Sequence, residues 1–385
     1  MLGQTGAVFD LDDDALRARD NLKWATTGAD VLPAWVADMD VRVPDVVVRR
    51  VRDLLDAGDI GYRVFDAAPD LLLEAFEDRM AQRFGWAPEP GRSRAITDVI
   101  QAFQVLVELQ TAPGDGVALH VPAYPLFLES LAAAGRRIVP IPMDADADEL
   151  AGRWRRENVR LVVVVNPHNP SGHMLTADEL RPIADAAALS DLTVLSDEIH
   201  ADLALDGRRH VPFASLGPDV EARTVTVTSA SKAFNLAGLH CALAHIGDAR
   251  VRARLDALPF AFLGGVSSVS RVATIAAWTE GDAWLDDLVA RLAENRDTVT
   301  RWAGSVGAAV VPAEATYLAW LDFAGTRVEA DPAGAFARAG VRLSPGVEFT
   351  AHTALESPTF ARLNFGTSPE RLARILDRMG DALRD

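Results

Sequence analysis

Between residues 96 and 246, short β-rich runs alternate with segments of helical spacing, and this alternation limits the fold more than any other feature of the sequence. The β-rich runs lie at 117–121, 138–143, 161–165, 192–195, 224–228 and 242–246. Strands that alternate with helices predict a mainly parallel sheet flanked by helices on both faces. The four valines at 162–165 lack polar alternation, as expected for a strand buried on both sides. We therefore expect an α/β fold.

The segments on either side of this region predict a second, smaller domain. At 385 residues the chain is longer than one hydrophobic core usually supports. A long helix is predicted from about Asp282, followed by a strand-like run at 317–323 and an amphipathic helix at 369–383. We expect an N-terminal arm at 1–45, a large α/β domain at 46–281, and a smaller α+β domain at 282–385 that the arm joins.

The composition excludes several classes of partner. A net charge of -17 opposes binding to nucleic acid or to anionic lipid, and no apolar run approaches the roughly 18 residues that span a bilayer. The acidic stretch 1–20 lacks the pattern of a secretory signal. The single cysteine, Cys241, excludes an intrachain disulfide and a cysteine-cluster metal site. We therefore expect a cytoplasmic protein that binds small molecules and contains no metal.

Lysine is scarce in this chain. Of the 38 basic residues only Lys23 and Lys232 are lysines, and the others are arginines. A coding bias toward arginine accounts for this scarcity, but it makes a retained lysine informative, because a surface charge could be either residue. Only lysine has an amine that readily loses its proton and attacks a carbonyl. The two lysines are therefore the first candidates for amine chemistry.

Polar side chains follow three of the predicted strands at their carboxyl ends, where open α/β sheets bind ligands. The sequences are NPHNPSG at 166–172, SDEIH at 196–200 and SASK at 229–232. An acid, an amide, a histidine, hydroxyls and a lysine are thus predicted to meet at one edge. Pyridoxal 5'-phosphate (PLP) needs such a set: a lysine for a Schiff base, a carboxylate for the ring nitrogen, and hydroxyls with helix N-terminal amides for the phosphate.

Each motif also has an interpretation other than a PLP site. An isolated Asn-Pro pair is usually a turn, and Asp197 after a strand is more often a helix N-cap. Ser-x-x-Lys is a weak motif that also suits a solvated turn or the nucleophile pair of a serine acyltransferase. The order and placement of the three motifs together favour the PLP site.

Taken together, the motifs resemble the class I/II aminotransferase superfamily, through NPSG at 169–172, SDEIHADL at 196–203 and SASKAFNLAGL at 229–239. The run WVADMD at 35–40, His200 in place of the usual tyrosine, and SKAFNLAG at 231–238 are similar to the MalY/PatB cystathionine β-lyase-like branch. Matching segments extend from about residue 23 to residue 365. The resemblance implies a homodimeric fold-type-I PLP enzyme acting on amino acids.

The resemblance also implies roles for individual residues. Lys232 is expected to be the Schiff-base lysine, Asp197 the partner of the pyridinium nitrogen, and Arg362 the ligand of the substrate carboxylate, which a guanidinium binds bidentately. The remaining expected cofactor contacts are Asn169 at the phenolic oxygen, His200 near it, Tyr124 on the ring face, Ser229 and Ser231 at the phosphate, and Tyr62 at the phosphate of the neighbouring subunit.

Two positions near the expected phosphate depart from the family pattern. The family usually has Pro-Gly before the helix that begins near Val99, where this chain has Asp98. An aspartate beside a phosphate is unfavourable unless its side chain turns away, for instance to cap the helix. His240 stands where the family commonly has a basic residue. We expect phosphate binding to depend more on Ser229, Ser231 and backbone amides.

The function that the resemblance favours is a carbon–sulfur β-lyase, which would cleave cystathionine or a related cysteine S-conjugate to a thiol, pyruvate and ammonia. An aminotransferase on the same scaffold is the first alternative. A PLP-binding regulatory protein with vestigial activity is the second, since a fold does not fix a function. A NAD-dependent enzyme is disfavoured, because no Gly-x-Gly-x-x-Gly motif follows a strand.

Overall fold

The computed structural model describes residues 8–61, 69–142, 144–259, 262 and 264–384. The α-helices in these ranges are α1 Asp13–Arg17, α2 Leu22–Ala25, α3 Asp45–Ala57, α4 Leu71–Arg79, α5 Val99–Gln110, α6 Pro125–Ala133, α7 Ala147–Arg156, α8 Ala177–Leu189, α9 Pro218–Glu221, α10 Ala249–Asp256, α11 Ser268–Glu280, α12 Asp282–Ser305, α13 Pro332–Arg338 and α14 Pro369–Arg384. The β-strands are β1 Leu32–Pro33, β2 Ser93–Ile96, β3 Gly116–Leu119, β4 Arg137–Pro140, β5 Val159–Val165, β6 Thr193–Asp197, β7 Thr224–Thr228, β8 Ala242–Ile246, β9 Ala309–Val310, β10 Leu318–Asp322, β11 Val341–Arg342, β12 Ser344–Pro345 and β13 Phe360–Asn364.

A seven-stranded sheet in the order β2-β8-β7-β6-β5-β3-β4 forms the centre of the fold. Strands β7, β6, β5, β3 and β4 run parallel, whereas β8 is antiparallel to both of its neighbours. Alternate valines of β5 enter two different apolar clusters: Val163 packs with α5 and α6, and Val162 packs with α7 and α8. The predicted α/β class, with helices on both faces of a mainly parallel sheet, is therefore confirmed.

One strand of this sheet is not among the predicted β-rich runs. Strand β2 is only four residues long and half polar, so neither length nor alternation indicates it. Helix α3 is followed by Gly58, whose φ of 68° lies in the left-handed region and ends the helix. Helix α4 begins again after Asp70, which accepts hydrogen bonds from the first helical N–H groups.

A second, antiparallel sheet in the order β12-β13-β10-β9 lies in the C-terminal part. The N-terminal arm contributes β1, which pairs in parallel with β11. This pairing supports the proposed division into an arm at 1–45, a large domain at 46–281 and a small domain at 282–385. One apolar cluster crosses the proposed boundary and includes Phe76, Phe234, Leu288 and Leu372.

No helix in the described ranges is long and apolar enough to cross a membrane.

The register of the central sheet positions the motifs at one edge. Val165 at the end of β5 is paired with Asp197 at the end of β6, and Asp197 is paired with Val227 near the end of β7. The three segments that follow these strands therefore begin at the same level. This edge is the carboxyl end of the parallel strands, where open α/β sheets bind ligands.

Candidate active site

Asp197 ends strand β6 and its side chain is 5% exposed. Its Oδ1 accepts a hydrogen bond of 3.1 Å from the backbone N–H of Ile199. Burial raises the pKa of Asp197 to about 7, although the Ile199 N–H and the charge of Lys232 both oppose the rise. A carboxyl in this position would regain its ionised form beside a bound cation, such as a protonated ring nitrogen.

Lys232 follows strand β7, and its Nζ donates a hydrogen bond of 2.9 Å to the carbonyl oxygen of Ala37. Burial lowers the pKa of the Lys232 amine, Arg362 adds to the lowering, and Asp38 and Asp197 oppose it. A lowered pKa increases the fraction of neutral amine near pH 7. Lys232 therefore has the properties of a nucleophile and of a general base.

Arg362 comes from β13 of the second sheet and is 4% exposed. Its Nη1 donates to Asn169 Oδ1 at 2.9 Å, and its Nη2 donates to Trp35 O at 2.9 Å and to Ser344 Oγ at 3.3 Å. The guanidinium carbon lies 4.8 Å from the centre of the Phe349 ring. Burial lowers the pKa of Arg362 to about 10, which leaves it charged at neutral pH.

His200 is fully enclosed, and its ring meets the ring of Tyr317 edge-on at a centroid distance of 6.1 Å. Burial lowers the pKa of His200 to about 3, and the charges of Lys232 and Arg362 act in the same direction. His200 is therefore a neutral imidazole near pH 7. Its Nδ1 has no hydrogen-bond partner among the described residues.

Tyr317 is a site residue that the sequence motifs did not reveal. Its side chain is 1% exposed, and its hydroxyl donates a hydrogen bond of 3.0 Å to Ala37 O, the same oxygen that accepts from Lys232. Burial raises the pKa of Tyr317, so the phenol keeps its proton. The available signal was that Tyr317 is one of only three tyrosines in the chain.

Tyr124 stands directly before α6, which has Pro125 at its first position. Its ring packs edge-on against Phe127 at 5.8 Å. Burial raises the pKa of the Tyr124 phenol, and the charges that act on it include those of Arg362 and Asp197. The ring is therefore in the same site as these two charged groups, as a stacking residue requires.

At the expected phosphate end, Ser229 and Asp98 are both engaged within the protein. The Ser229 hydroxyl donates to Cys241 O at 2.6 Å and accepts the backbone N–H of Ser231 at 3.0 Å. Asp98 is the N-cap of α5, where its Oδ1 accepts the Gln101 N–H at 2.7 Å. The capping expected for Asp98 is thus observed, and direct phosphate contacts by Ser229 and Ser231 stay a prediction.

The segment 35–39 forms a wall of the site through its backbone. Each of its five carbonyl oxygens accepts at least one side-chain hydrogen bond: Trp35 O from Arg362, Val36 O from Asn364, Ala37 O from Lys232 and Tyr317, Asp38 O from Lys23 and Asn364, and Met39 O from Asn235. The resemblance had marked this segment as a branch feature, but side-chain patterns give no sign of such backbone contacts.

The structure brings most of the predicted site residues together. The electrostatic neighbours of Lys232 include Asp197 and Arg362, those of His200 include Lys232 and Arg362, and Asn169 bonds Arg362 directly. Tyr62 lies outside the described residues.

The unpaired polar atoms of the site show that these residues fit PLP. Within the site, His200 Nδ1 and Arg362 Nε are buried and have no hydrogen-bond partner in the described part of the chain. Such atoms are costly unless a ligand or water satisfies them. A buried carboxyl with a raised pKa and an amine with a lowered pKa stand beside them, which is the donor and acceptor set that PLP and an amino acid would use.

The family model for aminotransferase class I and II matches residues 62–379. The chain belongs to this family. The predicted family is confirmed, and the match covers both the central sheet and the second sheet.

Individual relatives show which enzymes of this family the chain is similar to. The chain is 33% identical over 373 residues to a cystathionine beta-lyase of Corynebacterium glutamicum, covering 96% of this chain and 98% of that protein. It is 32% identical over 392 residues to cystathionine beta-lyase PatB of Bacillus subtilis, with coverage of 97% and 99%. A putative PLP-dependent beta-cystathionase from Corynebacterium diphtheriae superimposes with a TM-score of 0.90 at 30% identity, covering 99% of this chain and all of that one.

Proposed function

We propose that the protein is a PLP-dependent carbon–sulfur β-lyase that cleaves cystathionine or a related cysteine S-conjugate to a thiol, pyruvate and ammonia. The observation that carries the proposal is the buried constellation of Lys232, Asp197 and Arg362 at the carboxyl edge of the sheet. The full-length relatives named cystathionine beta-lyase in two organisms support the choice of reaction.

PLP, when bound, supplies an electron-accepting ring that stabilises negative charge at the substrate Cα. In the proposed arrangement Lys232 would hold the cofactor covalently and the Asp197 carboxylate would pair with the ring nitrogen. The other residues that would hold PLP are Asn169 and His200 at the phenolic oxygen, Tyr124 on the ring face, and Ser229 and Ser231 toward the phosphate.

The chain's own groups provide the proton transfer and the orientation. Lys232 removes the Cα proton once its amine is free, because its lowered pKa leaves a neutral fraction. Arg362 holds the substrate carboxylate and so fixes the orientation of Cα toward Lys232. The Ala37 carbonyl, which also accepts from Tyr317, holds the free Lys232 amine by a hydrogen bond.

Arg362→Ala is expected to raise KM for amino-acid substrates by about thirtyfold to a few thousandfold. The reason is that loss of one member of a desolvated charge pair typically costs about 2 to 5 kcal/mol. The measurement is steady-state kinetics together with the absorbance of the bound cofactor, which should stay normal.

Arg342→Ala is the matched control for this substitution. The Arg342 guanidinium stacks 3.7 Å from the centre of the Trp35 ring and donates to Thr26 O, so it neighbours the same segment without being placed on the substrate. Its KM should stay within about twofold of that of the unmodified protein. An unchanged KM in Arg362→Ala would make Arg362 a purely structural arginine.

The reaction itself is tested with L-cystathionine in the absence of any keto acid. We expect catalytic formation of pyruvate and homocysteine, measured separately as keto acid and as free thiol. An aminotransferase would require a keto-acid acceptor and release no thiol, and a regulatory protein would bind PLP without turnover. Either of these results would contradict the lyase while leaving PLP binding intact.

We also propose a cytoplasmic homodimer in which Tyr62 reaches the phosphate of the neighbouring site. The family resemblance of Gly61-Tyr62-Arg63 supports the shared site. The buried free thiol of Cys241 is consistent with a reducing compartment.

A further inference from the structure

Lys23, the second of the two lysines, is buried where a charged residue is rarely found. Its side chain is 1% exposed, and its Nζ lies 2.9 Å from Asp40 Oδ1 and donates to Asp38 O at 3.0 Å. The same Asp40 oxygen accepts the Trp24 Nε1–H at 2.7 Å. Burying an ion pair is costly, so its place in the fold calls for a physical reason.

The two lysines hold neighbouring carbonyls of one short segment. Lys232 and Tyr317 donate to Ala37 O, while Lys23 and Asn364 donate to Asp38 O. Only the φ and ψ angles of Asp38 lie between these two carbonyls, because the peptide unit on each side of its Cα is planar. A hydrogen bond that holds the Asp38 carbonyl therefore limits the directions that the Ala37 carbonyl can take.

We propose that Lys23 is a positioning residue for the reaction, because its grip on the Asp38 carbonyl keeps the Ala37 carbonyl aimed at Lys232 whenever Lys232 carries a free amine. This inference rests on the proposed function, in which Lys232 bonds to PLP and removes the Cα proton. Lys23 itself touches neither cofactor nor substrate.

Charge at Asp38 does not by itself decide the pKa of Lys232. Burial raises the pKa of the Asp38 carboxyl, Lys23 and Lys232 oppose that rise, and Asp40 adds to it. Asp38 in turn raises the pKa of Lys232. When Lys23 and Asp40 are removed together, their effects on Asp38 offset each other, and the change that remains is a poorer hydrogen bond from the charged Lys232 amine to the Ala37 carbonyl, which lowers the pKa of Lys232. The charged and titratable groups facing Lys232 are Asp38, Asp197, Arg362, His200 and Tyr317.

The shape of the site explains why arginine does not replace lysine here. The compact ammonium of Lys23 reaches a carboxylate and a carbonyl at once in a fully enclosed space. A planar guanidinium is larger and presents its donors as a fork, so in this enclosed space it would have to shift the groups around Asp40 and the Asp38 carbonyl. Lysine geometry, and not charge alone, is what the segment requires.

The test uses the double variant Lys23→Met/Asp40→Asn, which removes both charges and avoids an unpaired buried carboxylate. The Asp40→Asn change keeps an acceptor for Trp24. With only two lysines in the chain, isotope-labelled lysine gives two side-chain NMR signals in the unmodified protein and only that of Lys232 in the variant. Aminooxyacetate is added to the PLP-loaded protein, because it condenses with the cofactor aldehyde and frees the Lys232 amine.

The titration midpoint of Lys232 is expected to move about one pH unit lower in the double variant. Turnover kcat should fall about tenfold or more, because the Lys232 amine loses its fixed position relative to Cα, and this loss outweighs the larger neutral fraction that a lower pKa gives. KM should change less than about threefold, because Arg362 keeps its bonds to Asn169 and Ser344. The single variant Lys23→Arg retains a cation for Asp40 and is expected to show the same lowered midpoint and kcat.

Asp13→Asn is the matched control. It breaks the ion pair with Arg371 at 2.8 Å, which also ties the N-terminal segment to α14. Arg371 lies 4.0 Å from Asp40 Oδ2 as well, but the substitution removes neither acceptor of Lys23, Asp40 Oδ1 and Asp38 O. It should lower Tm without moving the Lys232 midpoint. The proposal is wrong if Lys23→Arg or the double variant keeps the normal midpoint and kcat, whatever happens to Tm. Failure of the proposed function would look different: without PLP on Lys232 aminooxyacetate would release no amine there, and a protein with another PLP reaction would release no thiol from L-cystathionine.

Discussion

Lys232→Ala is expected to abolish covalent attachment of PLP and to lower turnover by about a thousandfold or more. The variant loses the amine that bonds to the cofactor and the base that removes the Cα proton, and general acid–base catalysis alone typically contributes about 10² to 10⁴. Burial lowers the pKa of the Lys232 amine. Among the described residues, the other side chain that donates to Ala37 O is Tyr317, and burial raises the pKa of its phenol, so it stays protonated and cannot replace the amine as a base.

Borohydride reduction of the PLP-loaded protein followed by peptide mapping locates the attachment. The label is expected on Lys232, and Lys23 serves as an internal control, because it is 1% exposed and paired with Asp40. Added methylamine should restore part of the activity of Lys232→Ala, since a small amine can enter the space that the side chain leaves. A label on Lys23, or none at all, contradicts the assignment.

The grouping of the three motifs at one edge of the sheet follows from one rule of topology. Parallel strands end at a common edge, so the residues after β5, β6 and β7 could be grouped without knowing any contact. The observed pairing of Val165 with Asp197, and of Asp197 with Val227, shows that these strands end at the same level. The register did not have to be known, because a shift of one residue would still leave all three segments at the same edge.

The part contributed by the second sheet could not be predicted in this way. Arg362 reaches the site because β13 pairs with β10, where Trp320 lies opposite it, and neither strand carries a local signal for this pairing. Arg362 was therefore assigned by resemblance, and Tyr317, which directly precedes β10, was missed. Contacts between residues so distant along the chain depend on how two sheets pack, which periodicity does not encode.

Backbone contacts form a third class that residue patterns do not show. The carbonyls of segment 35–39 accept from Lys232, Arg362 and Lys23 whatever side chains the segment carries. The scarcity of lysine marks both lysines but does not separate their roles. The structure separates their surroundings: Lys232 donates to a carbonyl, whereas Lys23 also pairs with a carboxylate.

Asp197→Ala is expected to retain some cofactor and to lose most turnover, by about 10² to 10⁴. The ionised carboxylate is the group that would keep the ring nitrogen protonated, and without it the ring accepts charge from Cα poorly. Asp197→Asn is the matched variant, because it keeps the size of the side chain and its acceptor for the Ile199 N–H but not the charge. If charge is what matters, both variants should be similarly inactive in kcat assays with cofactor content measured by absorbance.

The raised pKa of Asp197 adds a pH test of the same assignment. Its pKa rises from 3.8 to about 7 in the folded chain, so between these values the folded state binds a proton that the unfolded state has lost. In the protein without PLP, the contribution of Asp197 to the free energy of unfolding should therefore decrease as pH rises from about 4 through about 7. Asp197→Asn should remove this contribution and its pH dependence. Bound PLP should reverse the trend, because a protonated ring stabilises the ionised carboxylate. Identical pH profiles for the two proteins without PLP would contradict the raised pKa of Asp197, whereas near-normal kcat in Asp197→Asn with PLP bound would show that Asp197 does not pair with the ring nitrogen.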